Sequence, residues 1–322
     1  MSIHEHNHTY KTIHDFHSHA HYGWDNSLSP ITEVSSGQTV NYEIIEASGG
    51  QFTRYSTKED VANINFAKVN PVSGPIYIKD AEPGDTLEIE MIDFRQLDWG
   101  WTALIPGFGL LSDTFTDPEI KIFDLKNRNR AEFLHGIDIF IKPFPGTMGV
   151  ALAEPGVHGI VPPRQNGGNM DIRHLVKGTK LYLPIFVEGA LFSIGDTHAA
   201  QGDGEVCGTA IEASMETTIK FTLHKGKTIK EPRYEIPGPP TPEADSQGYY
   251  VTTGQGPDLH EASKKAISYM IEHLIDTYGL KDSEAYMLCS ISVDIKINEI
   301  VNAPNYLVSA FLPNSIFKSF KN

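Results

Sequence analysis

The chain has 322 residues, with 26 Lys and Arg against 41 Asp and Glu and a formal net charge of −15. This charge repels the phosphate backbone of nucleic acids and anionic lipid headgroups, so neither nucleic acid nor membrane is an expected partner. Cys207 and Cys289 are too few for a disulfide scaffold, and neither a signal peptide nor an 18-residue apolar run occurs. We therefore expect a soluble, cytoplasmic protein with two lobes, or one domain with an extension, because single cores rarely grow to this length.

Histidines crowd the start of the chain, where seven of the fourteen lie within the first 24 residues. The first of them, up to residue 8, are typical of a polar arm. His17, His19 and His21 alternate, so they would share one face of an extended strand. His21 is the candidate metal ligand here, with a packed or capping role as the alternative. Trp24 is a candidate for narrowing a substrate pocket, and the alternative is that it is a residue of the hydrophobic core.

Most of the chain has the pattern of strands and turns. Residues 39–45, 86–91 and 180–183 are alternating segments that each follow a glycine turn. They predict a mainly β protein with a β-sandwich or jelly-roll-like body over residues 1–228, which would carry most of the site residues.

The remainder divides into two parts. Residues 229–256 are rich in proline and acidic residues, which predicts a linker or a lid. Residues 257–322 predict an α+β portion packed on the body. Its first helix has apolar residues at spacings of three and four from Leu259 to Tyr278, with Asp258 as N-cap and Gly279 as the stop. A short helix around 283–287 and a strand over 291–297 follow.

Residues 190–212 carry the densest chemistry of the chain. Asp196, His198, Asp203 and Glu205 lie within ten residues and are separated by glycines, which let the backbone bend around a ligand. Carboxylate oxygens and imidazole nitrogens are the donors that divalent metals prefer. The stretch therefore predicts a metal-dependent hydrolase.

The roles within this site follow from residue type. Asp196 and His198 are the expected ligands, because residues two positions apart in a strand point to the same face. His21 and Asp171 are the candidates to complete the metal site, and Asp203 could equally be a ligand.

The proton shuttle would be a carboxylate outside the ligand set. Glu205 is the first candidate and Glu154 the second. Asp171 follows a tight turn at 166–169 that also carries Asn169, a candidate for binding substrate.

Two other chemistries compete with this interpretation. Cys207 beside Glu205 could serve as a thiol nucleophile, although no lysine partner lies near it in the sequence. A non-catalytic metal- or carbohydrate-binding β-sandwich could use the same acidic loop for structural calcium. Such a loop is local, so recruitment of both Asp171 and Glu154 from distant segments would argue against it.

Five segments carry a resemblance to a known family: HYGWDNSLSP, NPVSGPIYIKDAEPGDTL, AEPG, PPRQNGGNMD and GALFSIGDTHAAQGDGEVCGTAIE. In this order they resemble the acetamidase/formamidase family over most of the chain. The resemblance implies hydrolysis of short aliphatic amides to the acid and ammonia, with a divalent metal that is usually zinc, and calcium in some members, here as a possible second ion. It also implies a β-sandwich-like body with an α+β portion, and a homodimer or higher homo-oligomer. It leaves open whether His19 or His21 takes part.

Overall fold

The structure is a computed structural model that describes residues 11–13, 19–96 and 98–318. His17 and the histidines up to residue 8 lie outside the described residues. Strands dominate the described part of the chain, as the alternating pattern predicts. None of its helices is long and apolar enough to cross a membrane.

Six strands form the first sheet, in which all neighbours are antiparallel except the first pair. In spatial order they are β1 (Lys11–Ile13), β5 (Thr39–Ile44), β18 (Met215–His224), β7 (Thr86–Gln96), β15 (Lys180–Pro184) and β19 (Arg233–Glu235).

The second sheet has nine strands and is built around one central strand, β16 (Phe192–Ala200). The path through it runs β14 (Gly167–Asn169), β12 (Phe144–Gly149), β16, β17 (Ile211–Glu212), β8 (Trp99–Leu104) and β9 (Glu119–Asp124). Strand β6 (Val72–Ile78) also pairs with β16 and carries β2 (Ala20–His21) and β4 (Thr32–Val34).

Smaller elements complete the described fold. They are the pairs β3 (Gly23–Trp24) with β13 (His158–Gly159) and β10 (Arg130–Leu134) with β11 (Ile137–Phe140), and helices α1 (Lys58–Ala62), α2 (Pro242–Asp245), α3 (Leu259–Tyr278) and α4 (Asp282–Ser292), with 3₁₀ turns at Phe66–Lys68 and Asn314–Ile316. A third sheet has the order β20 (Tyr249–Gly256), β22 (Tyr306–Pro313), β21 (Asp294–Glu299).

The two large sheets pack face to face through their alternating apolar residues. Val40, Tyr42 and Ile44 point inward from β5 while their neighbours stay more exposed. They share one core with apolar residues of the second sheet, where Phe192 meets Phe221 edge to face at 5.1 Å between ring centroids. This arrangement confirms the predicted mainly β fold with a sandwich body.

Helix α3 confirms the predicted C-terminal helix at both ends. The Asp258 side chain accepts a hydrogen bond from the Glu261 amide, and Gly279 takes the left-handed conformation that ends the helix. The second helix is longer than predicted and includes Ile291, which was assigned to the following strand. Ile291 is buried in the large core of this part of the fold, as are its neighbours in the helix, so burial on all sides, rather than strand alternation, explains its apolar character.

The segment at 229–256, predicted to be a linker or a lid, contains two strands. Its start supplies β19, an edge strand of the six-stranded sheet, and its end supplies β20 of the C-terminal sheet. Proline marks turns and edges here and does not prevent the flanking residues from pairing.

Replacing Gly254 by alanine should destabilise the C-terminal portion, because a Cβ there would lie 2.1 Å from the Ala262 carbonyl oxygen of α3. We expect the free energy of unfolding to fall by about 2 kcal/mol or more, as for overpacked cores. Urea denaturation would measure it. Gly159→Ala is the matched control, since a Cβ at Gly159 meets nothing within 4 Å. Equal stability of the two variants would contradict the close packing of β20 on α3.

Candidate active site

His198 is the centre of the candidate site and is buried in β16. Its Nδ1 lies 2.9 Å from Oε1 of Gln201, whose Nε2 donates to the main-chain oxygen of Asp171 at 2.9 Å. A carbonyl oxygen can only accept, so the Gln201 amide is held with Oε1 toward the ring. Nδ1 of His198 therefore carries the ring proton and donates a hydrogen bond to Gln201 Oε1. Nε2 is the nitrogen that faces the rest of the site.

Four carboxyl groups surround this imidazole. Asp196 Oδ1 lies 3.1 Å and Glu212 Oε2 lies 3.2 Å from Nε2 of His198. One donor atom from each of Asp171, Asp196 and His198 lies within 4.8 Å of the other two, and the same holds for His198, Glu205 and Glu212. We call these five residues the acidic cluster.

Strand pairing brings the acidic cluster together from distant parts of the chain. His198 of β16 is paired in register with Glu212 of β17. On the other side of β16, the Gly146 carbonyl oxygen in β12 accepts a hydrogen bond from the Asp171 amide at 3.2 Å. The turn after β16 supplies Glu205, whose amide donates to the Gly202 carbonyl oxygen.

The backbone of the site is strained. Asp171, Asp196 and Glu205 have φ values of 48°, 54° and 43°, and Asn70, which donates to Asp196, has a φ of 49°. They are four of the seven non-glycine residues with left-handed φ among those the structure describes. Such conformations cost about 1–3 kcal/mol each and concentrate at functional sites, where the surrounding structure enforces them.

The electrostatics of the cluster are unbalanced. Burial and the charges of neighbouring carboxylates raise the pKa of Asp171 to about 7. Burial raises the pKa of Glu212 to about 7 as well, and burial with the nearby Asp171 raises the pKa of Glu205 well above its usual range. Burial lowers the pKa of His198, but Glu212 and Asp196 outweigh it and hold that pKa well above its usual value. Each direction reflects four acids competing for too little positive charge.

The charge and donor atoms of the cluster suit a cation. In the described part of the chain, no Lys or Arg forms an ion pair with these four carboxyl groups. Asp171 Oδ1 is buried without a hydrogen-bond partner among the described residues, and Glu212 Oε2 has only the His198 ring nitrogen near it, at 3.2 Å. Buried carboxylate oxygens beside an imidazole nitrogen form a mixed oxygen and nitrogen donor set, which fits a divalent ion such as zinc.

The four acidic residues of the cluster, Asp171, Asp196, Glu205 and Glu212, line a cavity of about 600 Å³, and His198 lies buried behind them. Asn169 also lines it, and its Oδ1 accepts from Thr147 Oγ1 at 2.7 Å and from Asn70 Nδ2 at 3.4 Å. These bonds fix the amide of Asn169 and leave its Nδ2 available as a donor toward a bound molecule. A concave pocket with a few converging polar groups is the usual form of a small-molecule site.

Comparison with known proteins decides the family. A model of the acetamidase/formamidase family matches residues 7–158 and 151–319, which is most of the chain. The chain belongs to the acetamidase/formamidase family. It is therefore an amidohydrolase, and its membership supports short amides as substrates.

Individual proteins and solved structures are similar to this chain over nearly its whole length. A formamidase of Methylophilus methylotrophus is 27% identical, over 92% of this chain and 89% of that protein. A γ-lactamase from Delftia acidovorans has a TM-score of 0.88 at 25% identity, covering 96% of this chain and 94% of the other. An acetamidase from Bacillus halodurans has a TM-score of 0.66 at 29% identity, covering 92% and 95%.

Within this amidohydrolase, the structure brings together Asp171, Asp196, His198 and Glu205 of the predicted residues, with Asn169 beside them. Recruitment of Asp171 from a distant segment argues against a local structural calcium loop. Family membership likewise favours an enzyme over a non-catalytic binding protein.

Four predicted site residues do not join the cluster. Glu154 is exposed on a loop, and Asp203 points away, 4.0 Å from His174. His21 uses both ring nitrogens, one toward Gly23 O and one toward Ser193 Oγ, each at 2.8 Å.

Trp24 is buried in a small apolar core that does not border the cavity. Its size and burial explain its place in the sequence pattern without a substrate role. His19 is described but is not among the residues that line the cavity or form the acidic cluster.

Sequence reasoning missed Glu212, Gln201 and Asn70. Gln201 lies three residues after His198, and Glu212 ends the same glycine-rich stretch, so both belong to the segment that carries the predicted ligands. Only strand register and turn geometry reveal that they face His198.

Gly146 offers a test of how tightly the site is packed. A Cβ at this position would lie 2.6 Å from Asp171 Oδ1 and 2.9 Å from Asp196 Oδ2. We expect Gly146→Ala to lower kcat/KM by about 100-fold, because displacements of about 1 Å cost this much in a positioned site. The thermal midpoint should change little, since the backbone at Gly146 has no left-handed strain. Ammonia release and calorimetry would measure the two effects, and wild-type activity would contradict the geometry.

Proposed function

We propose that the chain hydrolyses the C–N bond of short aliphatic amides of the formamide and acetamide class, releasing the carboxylate and ammonia through a metal-activated water. The observation that carries this proposal is the clustering of four carboxyl groups around one buried imidazole, beside a cavity that the carboxyl groups line, in a member of an amidase family. Amides resist hydrolysis because attack on the carbonyl disrupts resonance and the nitrogen leaves poorly. An active site for amides must therefore activate a water as nucleophile, polarise the carbonyl group and protonate the leaving nitrogen.

Asp171, Asp196 and His198 are the residues that would hold a divalent metal, zinc being the ion that their mixed donor set suits best. Such a metal supplies a water that ionises near neutral pH and an electrophile for the carbonyl oxygen. Gln201 Oε1 accepts a hydrogen bond from His198 Nδ1, which holds the ring and keeps Nε2 directed into the site. Partners of this kind orient the ligands of metal sites.

The chain's own polar groups handle the substrate and its protons. Glu205 lines the cavity together with Asp171 and Asp196 and would take a proton from the attacking water at a carboxylate oxygen. It would then pass that proton to the departing nitrogen. Asn169 would donate from Nδ2 to the amide oxygen and so orient the substrate for attack.

A cyclic amide is the second candidate substrate. It is favoured by the TM-score of 0.88 to the γ-lactamase of Delftia acidovorans, over nearly the whole of both chains. Ring opening would use the same water and the same proton transfer, but the amine would stay attached to the acid.

The test is metal analysis of the purified protein, combined with ammonia release from formamide, acetamide and propionamide before and after chelation. We expect bound divalent metal, ammonia release, and loss of activity on chelation that returns when metal is restored. Unchanged turnover by the metal-free protein would overturn the metal mechanism. No ammonia from these amides, with γ-butyrolactam opened instead, would select the second candidate.

Replacing Cys207 by alanine distinguishes this chemistry from a thiol nucleophile. The thiol is buried outside the cavity lining, its Sγ lies 3.5 Å from the Ala103 carbonyl oxygen, and burial raises its pKa. A buried cysteine of this kind acts as a small apolar residue. We expect Cys207→Ala to keep at least about half of the activity. A variant that keeps its metal and its fold but loses all turnover would revive the thiol mechanism.

We also propose a homodimer or larger homo-oligomer located in the cytoplasm, as the family resemblance and composition suggest. The two buried, unpaired cysteines, Cys207 and Cys289, are in keeping with a reducing compartment. Light scattering of the purified protein tests the assembly. A monomer at micromolar concentration would contradict it.

A further inference from the structure

The cavity is much larger than the smallest amides require. Formamide has three non-hydrogen atoms and would displace about two or three waters, or roughly 60–90 Å³. The cavity volume is about 600 Å³. A site shaped only for formamide or acetamide would leave most of this space to water, which weakens the positioning of the substrate.

The wall away from the acidic cluster is apolar. Six of its members are the side chains of Ile64, Phe66, Ile105, Phe108, Leu110 and Val161. Phe66, Phe108 and Val161 are 53%, 39% and 39% exposed, so they stand where the cavity opens to solvent. Exposed large apolar side chains gathered around one opening, rather than scattered singly, indicate a binding surface.

Phe108 is held rigidly in this position. Its amide donates to the Ile105 carbonyl oxygen at 3.0 Å, and the Leu110 amide donates to the Val206 carbonyl oxygen at 2.8 Å. Gly208 makes room for the ring, because a Cβ there would lie 2.4 Å from Phe108 Cδ1. The loop is thus anchored to the segment that carries Glu205, so the ring and the proton-handling carboxylate are positioned together.

Phe66 stands across from this ring. It begins a 3₁₀ turn whose cap is Asn65, the side chain of which accepts from the Ala67 amide at 3.0 Å. The ring centroids of Phe66 and Phe108 are 6.5 Å apart at an angle of 66°. Rings at this distance and angle pack edge to face against each other, so together they form one apolar surface where the cavity opens to solvent.

We propose that Phe66, Phe108 and Val161 form an acyl subsite that selects amides with an apolar acyl group of roughly five to ten non-hydrogen atoms over formamide and acetamide. The inference rests on the proposed amide hydrolysis at the acidic cluster. Each methylene buried in the subsite contributes about fourfold to kcat/KM, from about 0.8 kcal/mol per buried CH₂. A carboxylate at the far end of the acyl chain opposes binding, because the same cavity already holds four carboxyl groups.

The experiment measures kcat/KM for formamide, acetamide, butyramide and hexanamide, and for the monoamide of adipic acid, which has the length of hexanamide but ends in a carboxylate. Hexanamide should exceed acetamide by at least tenfold and the charged monoamide by a similar factor. Phe108→Ala and Phe66→Ala should each reduce the hexanamide-to-acetamide ratio by about fivefold or more, mainly through KM. Phe108→Leu keeps an apolar side chain and should retain part of the ratio.

Tyr55→Ala is the matched control, because Tyr55 is an aromatic residue that is 84% exposed and does not line the cavity. It should leave the ratio unchanged. Turnover of acetamide that equals or exceeds that of hexanamide overturns the acyl subsite while the proposed function stands. No ammonia from any amide overturns both. Dissociation of an oligomer by Phe66→Ala or Phe108→Ala, with the chain-length profile unchanged, shows that a second copy covers these rings and overturns the subsite.

Discussion

Amide hydrolysis by His198→Ala is expected to fall by about 10³-fold or more, as for residues that act as a unit at a reaction centre. The substitution removes the nitrogen that both carboxyl groups of Asp196 and Glu212 approach within 3.2 Å. It also leaves four carboxyl groups without their only imidazole partner in the described part of the chain. Bound metal should be lost together with activity, which metal analysis and ammonia release would measure on the same preparation.

Gln201→Ala should have a smaller effect than His198→Ala on the same site. Gln201 touches His198 but has no contact with the four carboxyl groups, so its loss should release the ring without removing the nitrogen. A drop of about 10–100-fold in metal affinity or activity is expected, as for residues that orient metal ligands. His135→Ala controls for the loss of an exposed histidine. Full metal content and turnover in His198→Ala would show that the acidic cluster is not the metal site.

Glu205→Gln is the second decisive substitution. The amide keeps the size of the side chain but cannot accept and release a proton, so kcat should fall by about 10²–10⁴-fold while bound metal is retained. Glu154→Gln is the matched control, because Glu154 was the other candidate proton shuttle and lies exposed outside the acidic cluster. It should leave kcat within about twofold.

Single-turnover kinetics and metal analysis of these two variants, together with Glu212→Gln, distinguish three outcomes. Loss of kcat in Glu205→Gln alone assigns the proton transfer to Glu205. Wild-type kcat in Glu205→Gln together with an inactive Glu212→Gln moves that role to Glu212, which is also within reach of His198. Loss in Glu154→Gln would mean that the loop carrying Glu154 moves into the cavity during catalysis.

Local sequence determined the elements and part of the site. The apolar spacing of α3 and its caps at Asp258 and Gly279 are properties of neighbouring residues, so they could be read directly. Alternation in β5, β7 and β15 likewise identified the sandwich body. Asp196 and His198 are two positions apart in one strand, and Asp196 Oδ1 does lie 3.1 Å from His198 Nε2.

Only the tertiary structure decided which distant groups share the site. Glu212 faces His198 because β17 pairs with β16 in one register, and a shift of one residue would turn its side chain to the opposite face. Asp171 arrives through its hydrogen bond to Gly146, whereas Glu154, only 17 positions before Asp171 in the chain, remains in solvent. Residue types and spacing along the chain specify donors and periodicity. The convergence of donors on one point depends on strand order and register, which no local segment of the sequence contains.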